Sequence, residues 1–354
     1  MSRLTELDHA TTMFPSRCNR AVALACLAHA VFGCGGENDD PQSKSADVVS
    51  TAMSPEESAA EATAGAAADP RVSAESAAED GAASAMWNAY AALGAGKYEA
   101  LPDVITQLEA ALESHPDDGR LALYAGTMHL WRATGRDAPL AEQFNDVNRA
   151  LKLLERGHEL SPDEPHIGAF LGITQMGFGN VANDDKWRAK GRNTLEDTIA
   201  LYPPYVNGVL MQALGAVPRG HPYFADATKV VLAVFEGCGY SEAQRAGLDL
   251  RYPEQSVPGT CWNGGIVSHV WEGAMLIAGD IFAKAGDADS ARHLYNSAKA
   301  SPTYDHWPFG RELDRRIAEV DQRTALYLDG DDANDPPTWM DEHKLCVGCH
   351  ADEP

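Results

Sequence analysis

The segment His343-Lys-Leu-Cys346-Val-Gly-Cys349-His350 places two thiols and two imidazoles within eight residues. Cys-x-x-Cys-His is the spacing at which two sulfurs can form thioethers to the two vinyl groups of one porphyrin, with the adjacent histidine falling beneath the iron. On that chemistry one haem is attached covalently through Cys346 and Cys349, and His350 is the proximal iron ligand. The same atoms could serve two plainer purposes. Cys346 and Cys349 could form a redox disulfide, or His343, Cys346, Cys349 and His350 could hold zinc. No strand–helix–strand pattern of the thioredoxin kind surrounds the pair, and the second ligand pair that zinc sites carry across a loop is missing. Covalent haem is therefore the expected cofactor.

The motif resembles that of the c-type cytochromes, and the resemblance ends with it. In that family the chain continues past the motif, wraps the haem and supplies a distal methionine, whereas here only Ala351 to Pro354 follow. A sixth iron ligand is thus expected from upstream or from a partner protein, and Met340, His343 and His306 are the candidates. His343 lies only three residues before Cys346, so reaching the opposite haem face would strain the backbone. Met340 follows the stiff Pro336-Pro337 pair. His306 lies about forty residues upstream, so using it costs mainly loop-closure entropy of a few kcal/mol. Nearby Arg311, Arg315 and Arg316 are candidate partners for the haem propionates. Without a sixth ligand the iron would be a gas-binding or peroxidase-like site.

Thioether attachment requires export, and the N-terminal residues carry such a signal. Arg17 and Arg20 precede the apolar run 21–32, AVALACLAHAVF, which is too short to span a bilayer as an ordinary helix. The run ends on Val31-Phe32-Gly33-Cys34, which resembles the lipobox of bacterial lipoproteins. The resemblance implies a signal peptide over residues 1–33, lipidation at Cys34, and a lipid-anchored, periplasm-facing protein of the cell envelope, on the outer membrane rather than the inner. Translation from Met13 would give a signal of more usual length. Cys18 and Cys26 leave with that signal, so Cys238 and Cys261 remain as a pair that an oxidising compartment would join, the alternative being two buried thiols.

A formal net charge of −24 and a pI near 4.7 make nucleic acid and anionic lipid headgroups poor partners. A basic redox protein suits that charge better. No paired carboxylates, Ser/His/Asp set or phosphate-binding glycine loop stands out, so hydrolase or transferase chemistry has no support and no catalytic residue is assigned. Asp329, Asp331 and Asp335 loosely resemble a calcium loop, but the twelfth position is Met340 and the central glycine is missing. The histidines at 129, 158, 166, 221, 269 and 293 are expected to be packed or surface residues rather than ligands.

These residues need elements to position them. Residues 34–85 are rich in Ala, Ser, Glu, Asp and Gly, with no aromatic residue before Trp87, and are expected to be a disordered tether. From residue 86 to about 326 apolar residues recur at helical spacing with almost no alternation, so the fold class is all-α. Within that stretch a pattern repeats at i, i+4, i+7 and a proline at i+12: Val104, Leu108, Ala111, Pro116; Ala150, Leu154, Gly157, Pro162; Gly191, Leu195, Thr198, Pro203. Ala291, Tyr295 and Ala298 follow suit with Pro302 one residue early. The pattern resembles the second helix of a tetratricopeptide (TPR) repeat. Gly279 with Phe282, Leu171-Gly172, and Tyr124 with Gly126 match positions of its first helix. The resemblance implies a helical repeat solenoid whose groove binds other envelope proteins. A last helix is expected over 309–328, and residues 327–354 are expected to be an acidic hinge leading to the haem tail. The expected function is an electron-transfer lipoprotein. The rival is a scaffold or assembly lipoprotein in which the Cys-x-x-Cys-His is incidental.

Overall fold

The computed structural model describes residues 70–94, 97–134, 139–253, 269–332 and 334–338. Among these residues the ordered elements are helices alone, which confirms the all-α class. In chain order the α-helices are α1 Pro70–Gly94, α2 Leu101–Ser114, α3 Gly119–Thr134, α4 Leu140–Leu160, α5 Pro165–Ala182 and α6 Asp185–Ile199. They continue with α7 Pro203–Ala216, α8 Ala227–Gly237, α9 Glu242–Ala246, α10 Val270–Ala285, α11 Ala288–Ala298 and α12 Gly310–Leu328. No helix among the described residues is long and apolar enough to cross a membrane.

The boundary expected at residue 86 falls inside α1, which reaches back to Pro70. The compositional argument for a tether weighs poor burial against chain entropy, but it neglects that Ala and Glu are strong helix formers. Ala82, Ala85, Ala89 and Ala92 are buried at a spacing of three to four residues, so even this weakly apolar helix has a packed face. The rest of the stretch expected to be a tether, and the residues that resemble a lipobox, lie outside the described residues.

The packing follows one rule along the chain. Successive helices join in pairs, α1 with α2, α3 with α4, α5 with α6, α7 with α8 and α10 with α11. The first helix of each pair also touches the first helix of the next, and α12 closes the series against α10 and α11. The two helices of a pair come close because glycine removes a side chain at the crossing. A Cβ at Gly126 would lie 2.9 Å from Leu154 Cγ, one at Gly172 would lie 2.6 Å from Leu195 Cγ and 2.9 Å from the Gly191 carbonyl oxygen, and one at Gly279 would collide with the Tyr295 ring. The glycine of the first helix and the large residue of the second thus meet in three pairs, at the positions the sequence pattern marks.

The stretches between them that lengthen the spacing are built mainly into helix. Gly172 and Leu195 are twenty-three residues apart, against sixteen for Gly279 and Tyr295. About seven extra residues add roughly one turn to each of two antiparallel helices and leave the contact in register. α5 therefore runs to Ala182, turns at left-handed Asn183 (φ 49°), and α6 starts at once under an Asp184 cap on the Lys186 amide. The repeated prolines lie two to four residues beyond the helix ends, and Pro203 is the first residue of α7. Two residues after Pro116 and Pro162 an acidic side chain starts the next helix. Asp118 accepts from the Arg120 and Leu121 amides, and Glu164 from the His166 amide.

Two glycines in these helices should respond oppositely to the same change. Gly172→Ala forces a methyl against the Gly191 carbonyl and should destabilise by about 1–3 kcal/mol. Gly208→Ala, in α7 with no atom within 4 Å of its added Cβ, should stabilise by about 0.5–1 kcal/mol. Urea unfolding of both variants reads the sign of each directly.

Candidate functional site

The chemistry-bearing tail emerges from α12, so the site is built from the last three helices and the residues that follow them. α12 buries Leu313, Arg316, Val320, Arg323, Thr324 and Tyr327 at a spacing of three to four residues. Two arginines in a buried seam need partners, since an unpaired buried charge costs several kcal/mol. Asp280, fully buried on α10, faces Arg316 directly and accepts a 2.7 Å bond from Tyr295 Oη of α11. Glu312 Oε1 accepts from Arg316 Nε at 2.9 Å, and Arg323 lies 3.9 Å from Asp280. Burial alone would lower the pKa of Arg316, but Asp280, Tyr295 and Glu312 push it above its ordinary value. Arg316 and Arg315 hold Glu312 below the usual carboxylate range despite its burial, the Arg316 charge acting most strongly, with hydrogen bonds from both arginines. One charge network therefore ties α10, α11 and α12 together.

Downstream of α12 the chain turns at Gly330 (φ 84°), and Asn334 Nδ2 donates to Asp329 Oδ2 at 3.0 Å. It then returns along the helix it has just left. Tyr327 Oη donates to the Pro336 carbonyl at 2.8 Å, Arg323 Nη2 donates to the Pro337 carbonyl at 2.5 Å, and Thr338 is buried. Asp335 is half-buried; burial raises its pKa, and the charges of Lys284 and Arg219 pull it partly back. Those two cations are themselves fixed: Lys284 Nζ donates to the Gly215 carbonyl at 3.1 Å, and Arg219 Nε to the Lys284 carbonyl at 3.0 Å. Within the stretch 327–354 expected to be a hinge, residues 335–338 are packed against the protein, with Pro336 and Pro337 anchored to α12 and Thr338 buried.

Cys346, Cys349 and His350, the candidate ligands Met340 and His343, and Cys34 and Cys261 all lie outside the described residues. His306 is exposed on a short 3-10 turn, Tyr304–His306, just before α12. Tyr304 Oη donates to the Gly310 carbonyl at 3.3 Å, and burial, with Asp314 and Asp305 nearby, raises the Tyr304 pKa to about 12. Of the arginines expected to reach haem propionates, Arg311 is exposed and Arg315 is exposed but bonded to Glu312. Arg316 is removed from that set, because its guanidinium is fully buried against Asp280 and Glu312. Cys238 closes α8, is buried and is disulfide-bonded; every other cysteine of the chain lies outside the described residues.

Four of the six unassigned histidines face a carboxylate, a pairing that sequence spacing does not reveal. His129 Nδ1 lies 2.8 Å from Asp146 and its Nε2 3.3 Å from Glu109. His166, His221 and His269 sit 2.6, 3.1 and 3.2 Å from Glu164, Asp185 and Glu272. His293 Nε2 meets the Leu248 carbonyl at 2.7 Å. Each of these five has a protein partner, in keeping with a packing role. No group of three or more His, Cys, Asp or Glu among the described residues is placed to hold a metal ion.

Removing one member of the buried network should be costly. Arg316→Met leaves Asp280 without its closest cation and should destabilise by about 3–5 kcal/mol in urea unfolding, whereas Arg311→Met, at an exposed position, should change stability by less than about 0.5 kcal/mol. No protein-family model, curated protein or solved structure matches the chain.

Proposed function

We propose that this chain is an exported lipoprotein that carries one covalent c-type haem on a helical repeat scaffold and passes single electrons to or from a docked envelope protein. The observation that carries the proposal is the Cys346-Val-Gly-Cys349-His350 run itself. Two thiols three apart and the following imidazole form a donor set that fits haem attachment and proximal iron ligation. The bound group would supply a one-electron iron couple. The chain's own contributions are to tie Pro336 and Pro337, upstream of the thiols, to α12 through Tyr327 and Arg323, and to offer His306 just before the N-terminal end of that helix.

The TPR-like part of the reading draws support from packing. Three helix pairs bring a first-helix glycine against the large second-helix residue that the pattern marks, and successive first helices touch. Such arrays use their inner face to bind a protein segment. The same feature favours the rival scaffold function, in which the groove acts alone and the terminal motif carries no haem. The acidic balance of the chain suits a basic partner under either reading.

Only a covalent haem survives denaturing electrophoresis. The exported protein, made in a host competent for haem attachment, should give a haem-stained band that disappears in Cys346→Ser/Cys349→Ser. An unstained natural chain would leave the scaffold function standing and remove the electron carrier. For the loaded protein, His306→Ala should convert a low-spin ferric spectrum to high-spin. An unchanged low-spin spectrum would pass the sixth position to Met340, His343 or a partner.

A further inference from the structure

One nitrogen of Arg323 faces two acceptors. Its Nη2 donates to the Pro337 carbonyl at 2.5 Å and lies 3.9 Å from Asp280 Oδ1, too far for a hydrogen bond. The side chain is buried, and its Nε has no acceptor among the described residues. A guanidinium offers five donors, so this one is sparsely bonded for a buried group. Residues 335–338, the strap docked on α12, supply the one acceptor that holds it where it is.

Asp280 offers it a second place. Its Oδ1 accepts from Tyr295 Oη at 2.7 Å, and its Oδ2 faces Arg316. A carboxylate oxygen has room for two donors, and Oδ1 has room for one more. Closing the gap takes a shift of about 1 Å. We propose that Arg323 is a two-position switch: with residues 335–338 docked its guanidinium is held on the Pro337 carbonyl, and when they leave α12 it closes on Asp280 Oδ1. Burial alone raises the Asp280 pKa, and the charges of Arg316 and Arg323 already oppose that rise. Swinging out to water would instead take away one of the two buried cations beside Asp280. Tyr327, four residues further along α12, holds Pro336 and so supports the docked position. The state of the strap is thereby felt where α10 and α11 cross, because Tyr295, packed against Gly279, shares that oxygen. Arg323 is the two-state element that links them.

The switch uses no haem, so it and the proposed electron carrier can fail separately. The test uses the full chain with isotope-labelled arginines, and follows by NMR the Nε–H signal of Arg323, identified by its loss in Arg323→Lys. Thr338→Asp places a charge at a buried site and releases the strap. The Arg323 signal should then shift, while its Nε–H exchanges with water no faster than in the natural chain, because the guanidinium stays inside. Exchange at least tenfold faster would show the side chain following the strap into solvent, and an unmoved signal would show that the strap does not set its position. Either result overturns the proposal. Tyr295→Phe works from the opposite side. It leaves Asp280 Oδ1 without its donor, draws Arg323 inward, and should speed exchange of the Thr338 amide at least tenfold with the helical circular dichroism intact. A Thr338 amide that exchanges at the natural rate in the folded variant would equally sink the switch.

Discussion

The distance between paired helices is the constraint on which the rest of the molecule depends. At Gly172 the facing Gly191 carbonyl is so near that no side chain fits, and Leu195 occupies the space a Cβ would take. Helices that close can interlock backbones as well as side chains, and so bury more surface per residue than their modest apolar content suggests. Where the second-helix partner is larger, as at Tyr295, the ring takes the space a Cβ at Gly279 would occupy and its hydroxyl extends to Asp280. The packing contact and the ion network of the last three helices thus share one residue.

That sharing explains why charge can be buried here at all. Asp280 and Arg316 would each be costly alone in this core. Tyr295, placed by the glycine contact, supplies one hydrogen bond, and Glu312 supplies the second carboxylate from the same helix as the arginine. The guanidinium is held in one geometry, which in turn sets how α12 rotates on α10. The rotation places Tyr327 and Arg323 where the returning chain passes.

Much of the fold was legible in the sequence because it depends on local chemistry. Helical spacing gave the class, and the glycine and large-residue positions marked the crossings seen at residues 126, 172 and 279. The last helix was expected at 309–328 and runs from Gly310 to Leu328. The start of α1 was missed, since its alanines look like linker until a neighbouring helix gives them a face to bury. The histidine–carboxylate pairs were missed for another reason. His129 and Asp146 are seventeen residues apart on different helices, and no local pattern reports that they meet. The docked tail was hidden by composition: acids and prolines read as a hinge, while its anchors are carbonyl groups that every residue possesses. The Cys-x-x-Cys-His segment is itself the part whose candidate chemistry the sequence states most openly, through residue type and spacing alone.

Helices that touch mainly their neighbours in the series have a consequence for how the protein loosens. Opening an interior pair breaks contacts on two sides, whereas opening the last element breaks them on one. α12 is the last described helix, and the tail is fastened to that helix rather than to the middle of the array. Local fraying of α12 would therefore release the tail long before the body of the protein unfolds. The free energy of that small opening, and not the global stability, governs how much of the time residues 336–337 are released from α12.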